Sequence, residues 1–312
     1  MNTNKKKLIT HNGSFHTDDV FAAAALILYL EKNSKNFSAQ GGPASGWEII
    51  RTRDPEIINT GDYVFDVGGI YDEKTNRFDH HQLSFTEKRP EGVLYSSFGL
   101  VWKKFGEELC DSKEAAGIID NKLVAPIDAN DNGFDLVDNK YNISSYDIEK
   151  FFHSMCPSWS ENILEMNKNF EESVSIAKVV LGREIIYAKD FIQAQKEVKE
   201  IYQKANDKKM IILDKDYAHQ PSYSDFPDLL FVIYPRESDG FWTLRAVRKD
   251  EKKFDNRKNL PNSWATLRDE ELQKVTGVED AVFCHRALFM AIAKSKEGAI
   301  ALAQKALLEP SN

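Results

Sequence analysis

Across the first 135 residues, short apolar runs alternate with segments of helical pattern, and this alternation constrains the fold more than any other feature. KLIT at 7–10 has the composition of a short buried strand. A polar loop follows, and then a run rich in alanine and leucine opens at Asp18, with high intrinsic helix propensity. WEIIRTRD at 47–54 and YVFDVGG at 63–69 are further strand candidates, the second closed by glycines. LYSSFGLVWKKFGEEL at 94–109 repeats its apolar residues at helical spacing. Strands and helices in alternation cover both faces of a parallel sheet, so this part predicts an α/β domain with a parallel sheet flanked by helices.

Residues 160–205 are charged and nearly free of glycine and proline, and Phe170, Val174, Ala177 and Leu181 fall on one helical face. One or two long helices are expected there. Three strand candidates follow, MIILD at 210–214, LLFVIYP at 229–235 and FWTLRAV at 241–247, and RESDG between the last two is a hairpin turn signal. A closing helix is expected from Glu279 to Leu308. The chain thus divides into residues 1–205, including a long helical linker, and a smaller α+β domain, residues 206–312, a partition that 312 residues allow.

The net charge of −8 argues against a protein that coats nucleic acid through bulk positive charge. It leaves room for a nucleic-acid enzyme, because bound divalent cations neutralise carboxylates where a phosphate docks. Three scattered cysteines, Cys110, Cys156 and Cys284, suggest neither a disulfide framework nor a zinc knuckle. The longest apolar stretch, AAAALILYL at 22–30, is far too short to span a bilayer, and the N-terminus lacks a secretory or import signal. A soluble, cytoplasmic protein that does not engage membranes is the expectation.

Four of the seven histidines lie in two tight groups before residue 82. HNGSFHTDD carries His11, His16, Asp18 and Asp19, and FDHHQ carries Asp79, His80 and His81. Asp66 ends the apolar run VFD, and PIDANDNG supplies Asp128 and Asp131. Each group follows or ends a segment read as a strand, and the carboxyl ends of parallel strands form one crevice. Singly, each has an ordinary alternative: Asp18 as a helix cap, DANDNG as a turn. Together they suit divalent metal chemistry, since imidazoles and carboxylates bind manganese, iron, cobalt or zinc. Without cations, several close carboxylates repel one another and take up protons. Two cations roughly 3.5–4 Å apart can clamp an in-line phosphoryl displacement.

The order of THNGSFHTDDVFAAA, VFDVGG, RFDHHQ, IDANDNG, LPNSWATLRDEEL and FCHRALFMA resembles the DHH phosphoesterase superfamily. Within it, the chain is most similar to the melanocyte-proliferating-gene-one family of metal-dependent hydrolases. The resemblance implies a DHH-like catalytic domain with two divalent cations, manganese foremost and magnesium, cobalt or zinc as alternatives. It implies His11, His16 and Asp66 around one cation. Asp18, Asp66, His80 and an aspartate of the DANDNG run would surround the other, with Asp66 bridging. The superfamily pattern favours Asp131 as that aspartate, and position at a strand end favours Asp128. Asp79 would orient the histidines, and His81 would face the phosphate. Most superfamily members carry aspartate where His16 stands, so the cation pair here would be about one unit more positive.

In FWTLRAVRKD, alternation places Arg245 and Lys249 on one face of a strand and Arg248 on the other. Trp264, Arg268 and His285 lie in the two remaining family-like stretches. Arginine suits phosphate and tryptophan can stack on bases. By the same resemblance Arg245, Arg248, Trp264, Arg268 and His285 would grip a nucleic acid or nucleotide. The implied activity is a metal-dependent phosphodiesterase, an exonuclease releasing nucleotides from RNA or DNA ends. The alternatives are a hydrolase of short oligonucleotides, cyclic dinucleotides or pyrophosphate, and a binding module without turnover.

Overall fold

The computed structural model describes residues 5–33, 46–139, 141–217, 222–250 and 253–309. It forms two compact units, Met1–Lys189 and Asp190–Asn312. The division falls inside one long helix, sixteen residues before the boundary expected from composition (205 − 189 = 16).

The first unit is built from β1 (Lys6–Thr10), α1 (Thr17–Asn33), β2 (Trp47–Arg51), α2 (Pro55–Ile58), β3 (Tyr63–Phe65), β4 (Tyr71–Asp72), β5 (Arg77–Phe78), α3 (Ser97–Cys110), α4 (Lys113–Ile119), α5 (Ala125–Asp131), α6 (Ile148–His153) and the first part of α7 (Met166–Lys204). Its sheet has the order β2-β1-β3-β5-β4, parallel except at the β4 edge. Leu8 and Ile9 of the interior strand β1 are fully buried. The alanine run at 22–25 is also fully buried, which lets α1 lie close to its neighbours. Ring pairs Phe21–Phe98 at 5.2 Å and Tyr29–Phe105 at 4.4 Å lock α1 to α3. Asp18 and Asp19 occupy the first turn of α1, where the helix dipole favours negative charge.

The second unit adds β6 (Met210–Ile212), β7 (Phe231–Pro235), β8 (Trp242–Ala246), α8 (Asp269–Thr276), β9 (Ala281–Cys284), β10 (Met290–Ala293) and α9 (Lys296–Leu308). Its sheet runs β6-β7-β8-β10-β9, antiparallel except for the β6–β7 pair. One face buries Phe231, Ile233, Leu244 and Ala291 with Leu272 of α8 and Leu302 of α9. The other face sets Val232 and Tyr234 against Val198 of α7. The chain is therefore mixed α/β with two five-stranded sheets.

Two expectations change here. The closing helix starts at Lys296, and residues 281–293 are an antiparallel hairpin instead. AVFC and MAIA are apolar runs of four residues, too short for periodicity to separate strand from helix. The DANDNG run is not at a strand end: it closes α5, after a wide helical turn at Asp120–Val124. Among the described residues, no helix is long and apolar enough to cross a membrane.

Candidate metal centre

Three strand ends and two helix ends deliver the acidic and imidazole groups to one basin in the first unit. His11 follows β1 and is 3% exposed. His16 precedes the first turn of α1, and its backbone N–H donates to Asp19 Oδ1 at 2.9 Å, half of a capping box. The loop between them is anchored by Phe15, which meets Phe170 edge-on at 5.6 Å. Arg51 lies over the Phe170 ring and donates to the Gly13 carbonyl at 2.7 Å. Asp66 follows β3 with φ +55, a left-handed conformation uncommon outside glycine. Gly68 and Gly69 complete that turn with φ +97 and +68. Asp79, His80 and His81 follow β5, and Asp131 is the last residue of α5.

Asp66 is the centre of this arrangement. Its Oδ2 lies 3.1 Å from His11 Nε2, and its Oδ1 lies 3.2 Å from His80 Nε2. His80 Nε2 is also 3.4 Å from Asp131 Oδ2 and 3.9 Å from Asp18 Oδ2. Three overlapping groups each bring their ligand atoms within 4.8 Å: His11, His16 and Asp66; Asp66, His80 and His81; and His16, Asp18 and Asp131. These are candidate divalent-cation sites by donor type.

The donor atoms fit that use. His11 Nε2, Asp18 Oδ1 and Asp19 Oδ2 are buried and make no hydrogen bond. Buried polar atoms are ordinarily hydrogen-bonded; here Asp18 Oδ1 has no hydrogen bond and His11 Nε2 meets Asp19 Oδ2 and Asp66 Oδ2 in ionic contact at 3.2 and 3.1 Å, a donor set suited to a cation. His11 Nδ1 lies 3.0 Å from the Asn12 carbonyl, which makes that nitrogen a donor and leaves Nε2 as the end of the ring that faces Asp66. Asp18 is held by Ser97, whose hydroxyl donates to Oδ2 at 2.7 Å.

Electrostatics show the cost of crowding. Burial, then the neighbouring Asp66, Asp131 and Asp19, raise the Asp18 carboxyl well above its usual range. Burial also raises Asp19 and Asp131. Burial alone would lower His11, but the carboxylates of Asp19 and Asp66 outweigh it and leave this imidazole raised to about 10. Asp66 goes the other way: burial opposes its charge, yet His11 and His80 hold it well below the usual carboxylate range.

Asp79 belongs to none of the three cation groups and holds His81. Its Oδ2 accepts from Gly69 N at 2.5 Å, and its Oδ1 accepts from His81 Nδ1 at 2.8 Å. That bond is the main cause of the raised His81 pKa, and His81 keeps 60% of its side chain exposed.

Asp128 has a different place. It is fully buried, with Oδ2 accepting from Arg89 Nε at 2.8 Å and Oδ1 from Ser96 Oγ at 2.6 Å, Ser96 N at 3.2 Å and Gly99 N at 3.1 Å. The carboxylate caps α3 and belongs to none of the cation groups. Burial lifts its pKa to about 6, against the pull of Arg89 and Ser96. Gly99 permits this contact, since a Cβ there would stand 2.2 Å from Asp128 Oδ2.

In the second unit, Trp264 is 3% exposed within the hydrophobic core, so it is not available to stack on a base. Arg245 lies over the Phe289 ring at 5.9 Å, and the His285 ring meets Phe289 at 4.5 Å, tilted by 53°. Exposed Arg268 covers Phe283 at 4.4 Å, and Arg248 covers Phe254 at 4.9 Å. Sequence reasoning named Asp19 without giving it a role and left out Ser97 and Arg89. Asp19 stood in the HTDD motif, but nothing in the sequence linked Arg89 to Asp128.

Comparisons with known proteins agree in extent. MYG1 protein C694.04c of Schizosaccharomyces pombe is 29% identical, covering 99% of both chains. The MYG1 exonuclease of Homo sapiens is 29% identical over 97% of this chain and 86% of its own. The MYG1 protein of Dictyostelium discoideum is 29% identical over 96% of each. No solved structure matches the chain. The MYG1 exonuclease family model, described as Uncharacterised protein family (UPF0160), matches residues 7–307, which include every residue of the basin. A match over nearly the whole length, carrying both units, shows that the chain belongs to the MYG1 family.

Proposed function

We propose that this chain is a metal-dependent phosphodiesterase of the DHH phosphoesterase superfamily, an exonuclease that releases nucleotides from RNA ends. The carrying observation is Asp66, whose two oxygens face two different imidazoles at 3.1 and 3.2 Å beside the buried carboxylates of Asp18 and Asp19. The names of relatives such as the human MYG1 exonuclease support the reading. His11, His16 and Asp66 would hold one divalent cation, and Asp18, Asp66, His80 and Asp131 the other. Manganese suits this mixed set of imidazole and carboxylate. Bound there, the cations offset the carboxylate charge and lend Lewis acidity to a phosphate.

The remaining work belongs to the protein's own groups. His81 projects an exposed ring with Nδ1 tied to Asp79, so Nε2 is its free end. With its pKa raised, His81 stays protonated nearer neutrality and donates to a phosphate or departing oxygen. Asp79 sets the ring's orientation and favours its cation. Arg245, Arg248, Arg268 and His285 supply cationic and aromatic contacts for the strand. The preference for RNA is part of the proposal.

Incubation of manganese-loaded protein with end-labelled RNA, end-labelled DNA, a cyclic dinucleotide and pyrophosphate tests it. Stepwise release of mononucleotides from RNA is expected. Cleavage of pyrophosphate or the cyclic dinucleotide alone would replace the exonuclease reading with hydrolysis of small phosphoesters, and no cleavage in any arm would refute the enzyme.

A further inference from the structure

A buried ion network lies beside the basin, and the chemistry above does not use it. Arg89, 5% exposed, spans two carboxylates. Its Nε and one terminal nitrogen reach Asp128 Oδ2 at 2.8 and 2.7 Å. Its terminal nitrogens reach Asp120 at 2.6 and 2.9 Å. The guanidinium also stacks over Tyr95 at 4.6 Å. Its own backbone closes a turn, accepting from Gly92 N at 2.9 Å and donating to Val93 O at 2.7 Å.

Each gripped group leads to a candidate ligand. Asp128 lies one turn before Asp131 on α5, and Asn132 pins the end of that helix by donating to the Asp128 and Leu94 carbonyls at 2.8 and 3.1 Å. Asp128 also caps the first turn of α3 through Ser96 and Gly99, and the intervening Ser97 holds Asp18. The loop bearing Arg89 continues the chain from His80 and His81. One planar group therefore joins the segments that carry Asp18, Asp131 and the paired histidines. We infer that Arg89 is a positioning residue for the cation-binding basin: by bridging Asp120 and Asp128 it holds Asp131 and Asp18 at ligand spacing. The inference rests on the two-cation reading above. A lysine keeps the charge but cannot reproduce a fork to two carboxylates.

The test is Arg89→Lys in the full chain, freed of metal by chelation and titrated with manganese by calorimetry, with thermal melting of the metal-free protein alongside. The wild type binds two cations. In the variant, affinity for one falls about 10- to 100-fold, as for other residues that orient ligands, while the other is retained. Adding Arg89→Lys to Asp131→Asn costs less than the two separate losses combined, since part of the arginine's effect runs through Asp131. Unchanged affinities in the folded variant, or equal loss of both in step with melting temperature, would overturn the positioning role. If Arg89→Lys fails to fold, Asp120→Asn, which removes only one side of the grip, is read by the same criteria. A wild type that binds no manganese would overturn the two-cation reading and the inference together. Two cations in the wild type with no change in the variants would overturn the inference alone.

Discussion

If the basin takes up cations as proposed, uptake is expected to be coupled to proton release, with His11 setting its pH dependence. In the metal-free protein the His11 imidazole is raised from 6.5 to about 10 by Asp19 and Asp66, which outweigh its burial. At pH 7.5 it is therefore protonated almost completely. A cation takes up the neutral ring, so binding expels about one proton from His11. Apparent affinity then rises about tenfold per pH unit and levels off near pH 10. Asp18, Asp19 and Asp131 are raised as well, and any proton they hold adds to the release. Calorimetry with manganese in two buffers of different ionisation enthalpy measures the proton count directly. A count of zero at pH 7.5, with affinity flat from pH 6 to 8, would refute the coupling. The same raised pKa stabilises the metal-free fold fully below pH 6.5, and that stability is lost as pH climbs through about 10. At about 1.4 kcal/mol per pH unit it is worth at most about 5 kcal/mol. Chelated protein should accordingly melt lower at pH 10 than at pH 7.

Further predictions concern single side chains. Asp66→Asn removes the charge shared by two imidazoles; calorimetry should count at most one cation, and nuclease activity should fall by about three orders of magnitude or more. Gly99→Ala drives a Cβ to 2.2 Å from a buried carboxylate oxygen, and urea melts should show a loss of about 2–4 kcal/mol. Trp264→Ala empties a core site and should cost about 3–5 kcal/mol in the same assay. Arg268→Ala, at an exposed position, should change stability by less than about 0.5 kcal/mol while weakening RNA binding in fluorescence anisotropy.

The alternation in the first 135 residues was enough to read the parallel sheet, because buried parallel strands are nearly continuous apolar runs with helices between them. His11, Asp66 and the Asp-His-His run could be grouped from sequence because each follows an apolar, strand-like run and the ends of parallel strands meet in one crevice, although each alone has an ordinary structural use. Asp128 was harder to place. A carboxylate in a DANDNG run looks like a turn or a ligand until Arg89, 39 residues earlier, is seen to occupy it. Long-range pairing of that kind leaves no local signature. The hairpin at 281–293 was missed because alanine, leucine and methionine favour helix by propensity, while packing against α8 and α9 decides the outcome. Trp264 shows the converse: tryptophan serves cores and ligand surfaces equally well, and only its burial distinguishes them.

The donors of the basin are scattered from His11 to Asp131, and two of the three candidate groups join residues more than fifty positions apart. A nascent chain leaving the ribosome cannot gather the full set until α5 has emerged and the parallel strands have paired, a slow, non-local event. Ion capture of the proposed kind would thus report on completed folding of this unit and would not nucleate it, unlike zinc in a small finger. Deletions ending before residue 131 would strand an incomplete, strongly anionic half-site.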